Sequence, residues 1–218
     1  TMLPLFASRE VDLERKIKIF NRLTNNVDYY QQFYGPLNQL AITVAVTHPD
    51  DLNAMELYTT HLIATGDLDR ALEIYKSHVN DSVPEPKIFN TILDIESFKE
   101  RRDSVEHYTR LAMERLPDRP EFVLRRGTYC LMNERYKEAE LAFRDALRHI
   151  DSDSLRGATL TLIGDAQYQD NRLRAAFRTY EKALALLPND AGLLNNYAYF
   201  LSEEGRELER ALEMAERA

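Results

Sequence analysis

GATLTLIGDAQYQDNRLRAAFRTYEKALALLP, residues Gly157–Pro188, reads as two short helices folded back on one another and then stopped. Leu160, Ile163, Gly164 and Gln167 fall at helical spacing, and Asn171 and Arg172 break the pattern. Leu173, Ala176, Tyr180, Ala183 and Leu184 resume it until Pro188. Gly164 and Ala176 are the informative residues, because two helices cross closely only where side chains are small. Ile163 and Tyr180 then fill the space on either side of the crossing.

The same organisation extends in both directions. Downstream, Leu193–Glu203 and the stretch from Leu208 onward form a pair joined near Gly205. Upstream lie three more: Glu121–Met132 with Tyr136–Ile150, Lys87–Lys99 with Asp103–Leu116, and Leu52–Thr65 with Leu68–Val79 around Gly66-Asp67. Before them, Arg9–Leu23 carries Leu13, Ile17, Phe20 and Leu23 on one helical face. Asp28 is placed to cap a helix running to about Thr47, with Gly35-Pro36 marking a kink or a boundary between two helices. The run Leu40–Val46 fits a buried strand as well as a helix, and its helical surroundings favour the helix.

The pairs share one frame. The small residue early in each second helix is Ala71, Val105, Ala139, Ala176 and Ala211, at separations of 34, 34, 37 and 35 residues. Four residues later come Tyr75, Thr109, Phe143, Tyr180 and Ala215, and seven later His78, Ala112, Ala146, Ala183 and Ala218. Twelve before stand Thr59, Leu93, Gly127 and Gly164, with Ala198 thirteen before in the last pair. The stops recur as Pro49, Pro84, Pro117, Asp151 and Pro188. One such pair cannot bury its own apolar face, so neighbours must stack.

These residues resemble the tetratricopeptide repeat. The resemblance implies an all-α, right-handed α-α superhelix of about five helix-turn-helix units, over residues 52–85, 86–119, 120–156, 157–190 and 191–218. An N-terminal helical pair over residues 1–49 precedes them, readable as a degenerate repeat. The unit over 86–119 departs most, with Leu93 and Val105 in place of the small residues. Three extra residues fall in the connection after Asp151 and one near Gly205 to Leu208.

Composition narrows the function. A formal charge of −8 argues against nucleic acid or an anionic membrane as the main partner. Leu40–Val46, the most apolar run, is far shorter than the roughly 20 residues of a membrane-spanning helix. The single cysteine, Cys130, forms no internal disulfide and falls at a first-helix core position, where a thiol is inert. His48, His61, His78, His107 and His149 are scattered without a two-histidine ligand pair, and His78 falls at a packing position. No phosphate loop or nucleophile elbow is present, so no catalytic, metal or cofactor residue is assigned. Asn80-Asp81-Ser82 matches a glycosylation acceptor, a tripeptide too common to weigh.

The resemblance implies a groove lined by the first helices, which takes an extended peptide or another helix. Its candidate partner-binding residues are Asn90 and Asp94, Arg125 and Thr128, then Thr161, Asp165 and Tyr168, then Asn195, Asn196 and Tyr199. Asn53, Glu56, Thr60, Ser97 and Leu131 extend the same face. Amides bond an extended backbone, and tyrosine gives contact area at low entropy cost. Family members that clamp a chaperone's C-terminal carboxylate use lysine, asparagine and arginine there. Glu56, Thr60 and Asp94 at those places argue against that role.

The function expected is therefore a non-enzymatic scaffold for a protein or peptide partner. The alternatives are self-association into a homo-oligomer through a terminal unit, or the accessory region of a longer enzyme. The last is raised by the absence of an initiating methionine and by a helical pattern still running at Ala218. LPND, LNNYAYFLSEEGRELERALEMAE and YKEAELAFRDAL resemble bacterial members of the family. Several of those are exported, which favours the cell envelope over the cytoplasm.

Overall fold

The structure, a computed structural model, describes residues 2–80 and 85–218. Asp81, Ser82 and Pro84, on which the glycosylation tripeptide and one stop rest, lie outside them. The regular structure among the described residues is helical. The chain begins α1 (Leu3–Ala7), α2 (Leu13–Thr24), α3 (Val27–Gln32), α4 (Tyr34–Thr47), α5 (Leu52–Ala64), α6 (Leu68–Ser77) and α7 (Pro86–Phe98). It continues α8 (Arg102–Arg115), α9 (Pro120–Met132), α10 (Tyr136–Ala146), α11 (Asp153–Gln169), α12 (Leu173–Leu186), α13 (Ala191–Glu203) and α14 (Leu208–Arg217). These form two compact units, Thr1–Arg101 and Arg102–Ala218, so α7 belongs to the first and α8 to the second.

Local chemistry sets the ends of the helices. Asp51, Asp67 and Asp190 each accept a bond from a first-turn amide, satisfying a donor the helix leaves unpaired. The helices α5, α7, α9, α11 and α13 all end alike. The amides of Asp67, Arg101, Arg135, Arg172 and Arg206 reach back to the carbonyls of Leu62, Glu96, Cys130, Gln167 and Leu201. In each case the preceding residue adopts a positive φ, as a six-to-one helix-ending bond requires: Gly66, Glu100, Glu134, Asn171 and Gly205. The last turn is one residue longer, with Glu207 also left-handed.

In the first unit, four helices precede His48: α1 comes before the expected pair, and the second helix of that pair divides into α3 and α4 near the expected boundary; all four pack into the same unit as α5–α7. The anticipated cap and break also move. Asn26, not Asp28, caps α3 through Tyr29 N at 2.9 Å, and the break falls at Phe33, two residues before Gly35. Pro36 then sits in the first turn of α4, where a missing N–H removes no helical bond. Leu40–Val46 is helical, with Leu40, Ala41 and Val44 buried. The face of α2 is rotated from the apolar reading: Lys16 and Phe20 are its buried residues, while Leu13 and Ile17 are half-buried.

The second unit shows the frame most clearly. Ala139 and Ala176 are fully buried, and opposite each crossing lies a glycine beneath an aromatic ring. A Cβ on Gly127 would stand 2.4 Å from Phe143, and one on Gly164 would stand 2.5 Å from Tyr180. The extra residues after Asp151 do not lengthen the connection. Ser152 caps α11, and the insertion becomes an additional helical turn, making α11 17 residues against 13 in α9 and α13. In the last pair Met214, three residues after Ala211, is buried, whereas Ala215 is exposed.

Candidate functional site

In the second unit the candidate residues lie on α9, α11 and α13. Leu193, Leu194, Tyr197, Ala198 and Leu201 form the buried side of α13, and helical spacing then turns Asn195 and Tyr199 together to solvent. Tyr199 is 56% exposed, although its ring also meets Phe200 edge-on at 5.6 Å. Asn196 is half-buried. Beside this face the Tyr168 ring of α11 stacks on Phe200 with centroids 3.9 Å apart, and its hydroxyl donates to Glu204 Oε1 at 3.3 Å. On α9, Thr128 is exposed and Arg125 half-buried.

Two candidates on α11 are engaged within the fold. Thr161 Oγ1 donates to the Gly157 carbonyl at 3.1 Å. Asp165 Oδ1 accepts from the buried Tyr180 hydroxyl at 2.6 Å. Burial pushes the Asp165 carboxyl up from its usual range, and the Tyr180 hydrogen bond only partly opposes it. Gly157 carries a packing role that the sequence reading left unassigned: a Cβ there would stand 2.5 Å from Leu187.

A polar network fixes the second helix of one pair against the next pair. Gln167 Nε2 donates to Glu140 Oε1 at 2.6 Å, Thr179 Oγ1 donates to Gln167 Oε1 at 2.8 Å, and Arg172 donates to Glu140 Oε2. Burial alone would raise the Glu140 carboxyl. The hydrogen bonds from Arg172, Gln167 and Arg144 outweigh it and hold the group below its ordinary value. Glu181 plays a similar part between α12 and the last pair, accepting from Tyr197 OH at 2.6 Å and from Arg210 at 2.9 Å. The face carrying Asn195 and Tyr199 is therefore held on rigid helices.

In the first unit, Asn90 is half-buried and Asp94 and Ser97 exposed on α7. On α5, Asn53 and Thr60 are exposed, and Glu56 accepts from Lys87 at 2.6 Å. These three α5 residues line a cleft of about 520 Å³ between α2, α3 and α5. His61 forms part of its wall and was not singled out as a site residue by spacing. It is 2% exposed, with Nδ1 2.6 Å from the Tyr30 hydroxyl and its ring stacked on Tyr34. Burial pulls its pKa below the ordinary histidine value, so the ring is neutral. Lys16 was missed as well. It is fully buried, its Nζ donating to the Ser8 carbonyl at 2.6 Å and lying 2.9 Å from His48 Nε2. Burial lowers its pKa too. The expected packed histidine at 78 is half-buried at the end of α6, its Nδ1 2.9 Å from the Ile74 carbonyl.

Cys130 is 1% exposed, and burial raises its pKa, which keeps the sulfur as thiol. Among the described residues no group of three or more His, Cys, Asp or Glu side chains is arranged to hold a metal. No described helix is long and apolar enough to cross a membrane.

Models of the tetratricopeptide repeat match residues 100–154 and 179–213, which together span α8 to α10 and the C-terminal half of α12 through most of α14. A search of curated proteins gives no match. Among solved structures, a tetratricopeptide repeat protein from Parabacteroides merdae superposes with a TM-score of 0.68 at 15% identity, covering 94% of this chain and 78% of that one. The RS-1 MamA double mutant gives 0.64 at 15% identity, covering 77% of this chain and 92% of that one. YrrB, solved as a TPR protein with an unusual peptide-binding site, gives 0.59 at 17% identity, covering 81% and 89%. Their shared fold, the two family matches and the glycine-under-aromatic frame of the hairpins agree: the chain has the fold of tetratricopeptide-repeat proteins and carries that repeat over residues 100–154 and 179–213.

Proposed function

We propose that the chain is a non-enzymatic scaffold that holds a peptide segment or a partner protein against the first helices of its hairpins. The observation that carries this reading is the α13 face. Asn195 and Tyr199 are turned to solvent by a helix whose other sides are packed, next to the stacked pair Tyr168 and Phe200. An amide and an amphipathic ring on a rigid helix suit an extended backbone and cost little entropy on binding. Asn196, Thr128 and Arg125 extend the surface, while Thr161 and Asp165 are engaged within the fold, with the Gly157 carbonyl and the Tyr180 hydroxyl. The peptide-binding site of YrrB supports a peptide as the occupant.

A phage-displayed random dodecapeptide library selected on the full chain tests this. Peptides enriched on the wild type are expected to lose at least tenfold in affinity for the double variant Asn195→Ala, Tyr199→Ala. Its thermal midpoint should stay within a degree or two of the wild type, since the two side chains are exposed. Enriched peptides that all bind the double variant unchanged would overturn the α13 face as the site.

A further inference from the structure

We infer that α1 is a strap fastened by a proton-sensitive latch: Lys16 and His48 hold its end while they carry one positive charge between them, and a second proton releases it. The latch lies in the first unit and does not depend on the α13 face. Three elements build it. α1 packs on α4, and its Phe6 ring is fully buried. Just after α1, the Ser8 carbonyl accepts from Lys16 Nζ of α2 at 2.6 Å. The same Nζ lies 2.9 Å from Nε2 of His48, the residue that ends α4. Release frees residues 2–8 and bares the side of α4 that Phe6 covers.

An amine and an imidazole nitrogen in contact form a hydrogen bond only if one of them has a lone pair to accept it. A single charge on the pair meets that need. The ammonium donates to the neutral ring, or the charged ring donates to the neutral amine, and either way Lys16 keeps an N–H for Ser8. With both groups charged there is no acceptor, and two cations touch in a covered site. Lys16 is fully buried, and Ser8 and His48 are its hydrogen-bond partners among the described residues. His48 is half-buried, so its charged ring can be hydrated once α1 has lifted.

The surroundings supply no counterion in contact with the pair. α1 and α4 carry no charged side chain, and Tyr34, the one titratable group of α4, is stacked on His61. Arg9, in the turn before α2, adds a positive charge near His48. Asp12 and Asp51 act on the pair electrostatically, but each commits an oxygen to a helix cap, Asp12 to Arg15 N and Asp51 to Asn53 N. On the outer side of α2, Lys18 pairs with Glu14, and Glu10, Arg15 and Asp50 are exposed. Burial pulls the pKa values of Lys16 and His48 down, and for His48 the charges of Lys16 and Arg9 add to it. A base whose pKa is lowered by docking binds protons more readily when undocked. Docking of α1 is therefore strongest above the ordinary histidine value of about 6.5 and weakens as the pH falls below it.

Hydrogen exchange on the full chain at about pH 7.5 and about pH 5, corrected for intrinsic rates, tests the latch. The reporters are the Phe6 and Ser8 amides, which bond the Met2 and Pro4 carbonyls. Their protection is expected to fall about tenfold at the lower pH, the equivalent of one pKa unit, while α5 keeps its own. α5 is the reference because it carries His61, the unit's other neutral histidine, whose Nε2 is buried without a hydrogen-bond partner among the described residues. If His61 were the sensor, α5 would open with α1. His48→Gln, whose amide oxygen accepts from Lys16 but does not titrate, should leave the reporters equally protected at both pH values. Lys16→Met keeps the stem and loses the charge. It should also abolish the pH effect, and it should raise the His48 midpoint, read from imidazole NMR signals, toward the ordinary value. Thermal midpoints establish that the variants fold. The latch is overturned by α1 protection that does not change in the wild type, by equal loss in α1 and α5, or by a pH effect that persists in either folded variant. A wild-type His48 midpoint at or above the ordinary value overturns it without any variant.

Discussion

The hairpins α5/α6 and α11/α12 share one frame and satisfy it by different means. In α11/α12 the crossing residue is Gly164, and the Tyr180 ring lies where a Cβ would stand, its hydroxyl donating to Asp165. In α5/α6 the crossing residue is Thr59, fully buried, and the Tyr75 hydroxyl is hydrogen-bonded to Thr59 Oγ1 at 2.9 Å. The next position along each first helix shows the consequence. Asp165 is drawn inward to serve the tyrosine, whereas its counterpart Thr60 is exposed at the mouth of a cleft. How a buried hydroxyl is paired therefore decides which polar residue a repeat leaves available for a partner.

The comparison breaks most sharply at the ring. Tyr180 is fully buried, rests over Gly164 and stacks on Tyr197 at 5.0 Å. Tyr180→Ala removes that volume and leaves the Asp165 carboxyl buried without its donor. A loss of about 3–5 kcal/mol is expected. It should be read as lost hydrogen-exchange protection in α11 to α13, with α5 and α6 unaffected. Protection lost equally in α5 would show that the hairpins do not respond independently.

Gly164→Ala tests the glycine directly. The added methyl meets the Tyr180 ring at 2.5 Å, and a ring packed on two sides cannot yield. Overpacking costs about 1–3 kcal/mol and outweighs the roughly 1 kcal/mol of helix propensity that alanine gains. Denaturant unfolding should show a net destabilisation of up to about 2 kcal/mol. Gly35→Ala is the control: nothing stands within 4 Å of its Cβ, and the position should be neutral or slightly stabilised.

Much of this frame was legible because it rests on period and size. A spacing of 3.6 residues marks the buried stripe, and small-opposite-large pairs such as Gly127 with Phe143 recur in register. What was not legible came from contacts that spacing does not encode. Glu100 and Glu134 occupy left-handed turn positions where glycine or asparagine is the usual sign, so those turns show no marker of their own. Lys16 reads as a solvated side chain until α1 and His48 are seen to surround it. Of the candidate residues, Asn195 and Tyr199 were placed by helical period alone. Asp165 and Tyr168 needed the partner helix, because only the packed structure reveals Tyr180 and Phe200 beside them. His61 was hidden for the same reason: its chemistry lies in a missing partner, which no sequence records.

The smallest effect probes the other hairpin. Thr59→Val keeps the volume at the α5/α6 crossing but removes the hydroxyl that pairs with Tyr75 OH. The buried phenol then loses its partner, at a cost of about 1 kcal/mol. Tyr75→Phe alone removes the other half of the same bond. If the two hydroxyls serve only each other, the double variant should cost less than the sum of the singles, because no unpaired group remains. Thr59 Oγ1 also lies 2.9 Å from the Met55 carbonyl, so a small residual cost belongs to that contact. Strict additivity in denaturant unfolding would mean that Tyr75 OH is satisfied elsewhere. The two hairpins would then differ only in the size of the crossing residue, and the exposure of Thr60 would owe nothing to how the tyrosine beneath it is paired.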